Sequence, residues 1–131
     1  MSQEIVVPYE ECGHAGTARI GQTIVCNRLR WYRSISCLNC THIEEDGPGL
    51  PPGPLRDQLL KEGGRWNLVA NAASRVPAMR VIRSALGLSM EETVAAFQLF
   101  PVVYTGTKTE AQWLKAQMEA SDIPSQMVES C

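Results

Sequence analysis

Five cysteines and two histidines are the side chains in this chain best suited to metal or nucleophilic chemistry. The pair in Cys37-Leu38-Asn39-Cys40 is separated by two residues, a gap that lets both thiolates point into one tetrahedral metal site. Cys12-Gly13-His14 can add a sulfur and a nitrogen from the other end of the same hairpin. The spacing therefore predicts a zinc ion held by Cys12, His14, Cys37 and Cys40, with Cys26 or His42 as a substitute ligand. Four protein ligands would leave no open position, so such a zinc would be structural. The alternative is that the same cysteines serve as small core residues. An odd number of cysteines speaks against a disulfide framework.

Nothing else in the chain has the pattern of a catalytic site. There is no glycine-rich phosphate loop, nucleophile elbow or metalloprotease motif. Cys37 with His14 or His42 would make a nucleophile and base, but paired thiols are better explained as ligands or core, so the chain is expected not to be an enzyme. Arg28, Arg30, Tyr32 and Arg33 form a basic-aromatic cluster that would suit nucleic acid, the second of two functional expectations. Against it stand the acidic run Glu44-Glu45-Asp46 and a net charge of -2. That run precedes Gly47-Pro48-Gly49-Leu50-Pro51-Pro52, which reads as a proline-stiffened loop. Glu44, Glu45 and Asp46 are thus the expected contact with a partner protein bearing a basic cleft. A small, acidic chain without chemistry of its own resembles bacterial toxin-immunity proteins and similar inhibitors, which is the leading functional expectation.

The elements that would carry these residues follow from composition and periodicity. At 131 residues, 44% hydrophobic and 20% charged, the chain suits a globular fold of one domain, or one with a small appendage. No apolar run reaches the roughly 18 residues of a membrane span. Met1-Ser2-Gln3-Glu4 lacks the basic flank and apolar core of a signal peptide, so a cytoplasmic location is expected. The first half reads as β: a strand at Ile5-Val6-Val7, then a hairpin from Ile20–Cys26 to Trp31–Ile35 with Leu29, Trp31 and Ile35 on one face. A Pro/Gly-rich connector with a short helix, 47–65, leads from a β unit at 1–46 into a second domain at 66–131. There the predicted order is strand, helix, helix, strand, helix, strand. Val76, Met79, Ile82 and Leu86 recur at helical spacing and Gly87 stops the helix. Ser89 with Glu92, and Thr107 with Glu110, are capping-box pairs that open the next two helices. The first of these is expected to turn Val94, Phe97 and Phe100 inward. The fold class is α+β.

Two resemblances sharpen these expectations. Residues 66 to 129 are similar to the C-terminal domain of the bacterial ribosomal stalk protein, a fold shared with the Clp-protease adaptor. The likeness rests on Val81-Ile82-Arg83, Leu86-Gly87-Leu88, Pro101-Val102-Val103, Glu110-Ala111, Leu114, Glu119-Ala120 and Met127-Val128. It implies an α/β sandwich. In that family the helix after the Gly-Leu step carries lysines that meet translation factors, whereas here Ser89, Glu91 and Glu92 stand in it. The resemblance thus implies the fold without the family's docking surface. The Cys/His hairpin resembles a zinc ribbon, from which it departs at Tyr9, where a ribbon's first cysteine would stand.

Overall fold

The computed structural model describes residues 2–9, 16–37 and 43–130. The protein is α+β, with seven strands in two antiparallel sheets and four α-helices among the described residues. It divides into two compact units, Met1–Gly63 and Gly64–Cys131.

The first unit is a four-stranded meander of β1 (Ser2–Tyr9), β2 (Gly16–Val25), β3 (Arg28–Cys37) and β4 (Ile43–Pro48), followed by α1 (Gly53–Gly63). The β2–β3 turn has two residues, Cys26 and Asn27, both with positive φ (50° and 63°). That conformation matches the right-handed twist of the flanking strands, and asparagine tolerates it well. Register then follows from the pleat: Ile5, Ile20 and Arg33 lie side by side on one face, as do Val7, Ala18 and Ile35. Val7, Ala18, Ile20 and Ile35 pack with Leu55 and Leu59 of α1 into a core. Complete burial of a leucine such as Leu59 contributes about 1.5–3 kcal/mol. Leu29 and Ile35 share the buried face as expected.

Two boundaries differ from the sequence expectation. Residues 43–48 are not loop or connector; they pair with β3 as an edge strand, and Gly49 N–H extends the ladder by donating to Leu29 O at 2.8 Å. The short helix at 53–63 packs its leucines on the first sheet, so the division falls at Gly63–Gly64 and not through a connector spanning 47–65.

The second unit runs β5 (Arg65–Ala70), a 3-10 turn (Ala72–Ser74), α2 (Arg75–Leu86), α3 (Met90–Ala96), β6 (Val102–Gly106), α4 (Lys108–Ala120) and β7 (Ser125–Ser130). This is the predicted element order. The strands form an antiparallel sheet in the order β6-β5-β7. Leu68, Ala70 and Val103 from the strands pack with Ala78, Ile82, Phe97, Leu114 and Met118 from the helical segments. The punctuation is local chemistry. Gly87 adopts the left-handed region at φ 63° and closes α2, its N–H donating to Arg83 O. Both capping boxes form. Ser89 Oγ accepts from Glu92 N–H while Glu92 accepts from Ser89 N–H, and Thr107 and Glu110 repeat the exchange.

Candidate functional site

The residues singled out in the first unit are redistributed by the pleat. Arg28, Arg30 and Tyr32 share one face of β3, and Arg33 occupies the opposite one, beside Ile20. The acidic run is divided in the same way, because Glu45 lies opposite Arg33 while Glu44 and Asp46 lie opposite Ser34 and Tyr32. Arg33 Nη2 donates to Glu45 Oε1 at 2.7 Å, and Arg30 Nη2 to Asp46 Oδ1 at 3.3 Å. Arg19 Nη1 reaches Glu4 Oε1 at 3.4 Å, and the Tyr32 hydroxyl donates to Glu4 Oε2. Burial, then the hydrogen bond and negative charge of Glu4, push the Tyr32 phenol up to about 12, with Arg19 opposing.

This pairing changes the geometry expected of both sites. The cluster Arg28, Arg30, Tyr32, Arg33 is not one basic surface, since two of its three cations already meet carboxylates within the sheet. Glu44, Glu45 and Asp46 are not a projecting acidic plug: they belong to a paired strand, divided between two faces. Charges on an edge strand also discourage unwanted strand pairing, which gives this run a role within the fold.

Of the expected zinc ligands, Cys12, His14 and Cys40, and the substitute His42, lie outside the described residues. Cys37 ends β3 in the row Tyr9–Gly16–Cys37. A Cβ at Gly16 would stand 3.1 Å from Cys37 Cβ and 2.7 Å from Ser36 O, so glycine permits this close approach. Cys26 is excluded as a substitute: it lies in the turn at the opposite end of β3 from Cys37, a strand of roughly 30 Å. Among the described residues no group of three or more His, Cys, Asp or Glu is placed to hold a metal ion.

The second unit displays a surface that sequence reasoning missed. α2 carries Arg75, Arg80 and Arg83 and no acidic residue, and all three arginines are exposed. None has a carboxylate within ion-pair distance among the described residues. Their contacts are with neutral groups. The Arg75 guanidinium lies 6.0 Å from the Phe100 ring centroid and donates to Met79 Sδ at 3.7 Å. Arg83 Nε donates to Leu88 O at 3.3 Å, and its Nη1 lies 3.9 Å from Met90 Sδ. These contacts tie the first residue of α2 to Phe100, beyond the end of α3, and its last turn to Leu88 and Met90 at the start of α3. Val76 (56% exposed), Met90 (57%) and Val94 (45%) are exposed on the same two helices, and Met90 lies beside Arg83.

Val94 and Val76 were expected inside. The buried line through α3 is instead Thr93 and Phe97, which is possible because the Thr93 hydroxyl donates to Ser89 O at 2.7 Å. In α2 the buried residues are Ala78 and Ile82, leaving Val76, Arg80 and Arg83 at spacing i, i+4, i+7 on another side. The signal was present in the sequence as three arginines without an acid over residues 75–86. The result is a pair of helices with arginines on α2 that lack ion-pair partners among the described residues, exposed Val76, Met90 and Val94, and Glu91 and Glu92 in the first turn of α3. It can hold a complementary surface by desolvation and charge.

No family model matches the chain, and neither a curated protein nor a solved structure matches it. No helix among the described residues is long and apolar enough to cross a membrane.

Proposed function

We propose that this chain is a non-enzymatic protein-binding module that docks its partner on the α2–α3 face. The observation that supports this reading is the presence of exposed Val76, Met90 and Val94 on the same two helices as Arg75 and Arg83, neither of which has a carboxylate within ion-pair distance among the described residues. Exposed apolar side chains ringed by charge are typical of protein contacts. The partner would present an apolar centre bordered by carboxylates, the reverse of the basic cleft expected from the acidic run. Such a module acts by occupancy, as an inhibitor or immunity protein does. The nucleic-acid alternative has less support, because Arg30 and Arg33 are neutralised by Asp46 and Glu45.

The test is affinity capture from the native cell with the wild-type chain and with Val76→Asp/Arg83→Glu as baits. One stoichiometric protein retained by the first and lost by the second is expected. Retention of the same protein by both, or recovery of nucleic acid alone, would overturn the assignment.

A second proposal concerns metal. Tyr9, Gly16 and Cys37 are neighbours across three strands. This adjacency of Cys37 to the end of β1 supports a structural zinc bound by Cys12, His14, Cys37 and Cys40, with His42 as the remaining substitute.

A further inference from the structure

Arg83 and Glu91 both adjoin exposed Met90, and neither has its charge met within the chain. Arg83 Nη1 lies 3.9 Å from Met90 Sδ, and Glu91 follows Met90 in the first turn of α3. Both charged side chains are exposed, and neither has an ion-pair partner among the described residues. The guanidinium contacts are to the Leu88 carbonyl and the Met90 thioether. Met90 and Val94 stand at i and i+4 of α3, and Glu91 and Val94 at i and i+3, so the two exposed apolar side chains and the carboxylate share a side of that helix. The surface therefore holds a cation, an apolar centre and an anion. Such a surface is complementary to itself, because a two-fold axis through the apolar centre sets each cation against the other copy's anion.

We infer that the Arg83–Met90–Glu91 surface pairs with the same surface of a second copy of this chain, Met90 packing on Met90 and each Arg83 meeting the other copy's Glu91. The inference rests on the binding-module reading and adds regulation of that site. A second copy offers the apolar centre and carboxylate that the arginines select, together with a cation for Glu91. It covers the exposed side chains of α3 until the partner displaces it, and the two complexes exclude each other because both use Met90 and Arg83. Two ion pairs around a few apolar side chains belong with small, transient interfaces, below about 1,200 Å². A weak contact suits a cover that must be exchanged.

The experiment is sedimentation equilibrium of the full chain from micromolar to millimolar concentration, at low and at raised salt. The wild type is expected to dimerise, and less tightly at raised salt because screening acts on exposed ion pairs. Arg83→Glu sets carboxylate against carboxylate and Glu91→Arg sets cation against cation, so each variant alone should dimerise at least about tenfold more weakly. Mixed in equal amounts, the two variants restore both ion pairs, and the mixture should recover the wild-type affinity. Circular dichroism checks that each keeps its helices, and Arg83→Gln or Glu91→Gln, which deletes the charge without reversing it, replaces a variant that does not. A wild type that stays monomeric throughout, variants that dimerise as tightly as the wild type, or a mixture no tighter than its components would overturn the inference. The capture experiment judges the binding-module reading separately, because a monomeric chain can still retain its partner.

Discussion

Gly21 lies opposite Tyr32 in the β2–β3 pair, and the tyrosine ring occupies the space a side chain at 21 would need. A Cβ there would stand 2.3 Å from Tyr32 Cζ and 2.4 Å from its hydroxyl oxygen. Ordinary carbon contacts need about 3.5–4 Å, so Gly21→Ala must turn the ring outward and draw its hydroxyl away from Glu4. The loss is a cross-strand contact of about 0.2–1 kcal/mol and a hydrogen bond to a carboxylate of about 1.5 kcal/mol before allowance for exposure. Alanine in a strand returns about 0.5–1 kcal/mol over glycine. Gly21→Ala is therefore expected to destabilise the first unit by about 1 kcal/mol. In a Tyr32→Ala background the obstacle is gone, and the same change should stabilise by about 0.5 kcal/mol. The coupling, near 1.5 kcal/mol, is read from urea unfolding of the four proteins. An equal cost of Gly21→Ala with and without Tyr32 would refute the steric argument.

Four further outcomes can be checked. Because the native Tyr32 phenol is raised to about 12 from an ordinary value of about 10, its contribution is intact below pH 10 and should fade as pH rises through 12; Tyr32→Phe should flatten that decline in alkaline unfolding curves. Ser89→Ala should cost about 1 kcal/mol and speed hydrogen exchange in α3. Glu92, held below the usual carboxylate range by the Ser89 N–H and hydroxyl, should stabilise that helix at neutral pH and cease to do so as pH falls through its lowered native value, which acid unfolding of Glu92→Gln would test. The metal proposal requires close to one zinc per chain in protein purified without chelator, lost in Cys37→Ser, and a zinc-free preparation would end it.

The second unit was legible in the sequence because its boundaries are chemical. Gly87 can close a helix in the left-handed region, and Ser89/Glu92 and Thr107/Glu110 satisfy backbone donors that periodicity alone does not address. The first unit was legible only in part. Glu44-Glu45-Asp46-Gly47-Pro48 has poor strand propensity, and its pairing with β3 is a tertiary effect that joins Glu45 to Arg33 and Asp46 to Arg30. Once that register exists, the acidic run and the basic run cancel each other, a result that neither run discloses alone. The phase of α3 escaped for a smaller reason. Thr93 can be buried when its hydroxyl finds the Ser89 carbonyl, which moves Val94 to the surface. In α2 the same problem of phase hid the face, because Val76 was counted as core while its neighbours Arg80 and Arg83 faced solvent.

The central claim is that binding belongs to the α2–α3 face and not to the acidic edge strand. Its most direct measurement is calorimetric affinity of the captured partner for three proteins: wild type, Arg75→Glu/Arg83→Glu, and Glu44→Ala/Glu45→Ala/Asp46→Ala. The arginine variant is predicted to lose about 2–5 kcal/mol of binding free energy if the charges are buried against carboxylates. The acidic variant should bind as the wild type does. Full affinity in the arginine variant, together with loss in the acidic one, would contradict the account and return the binding site to β4.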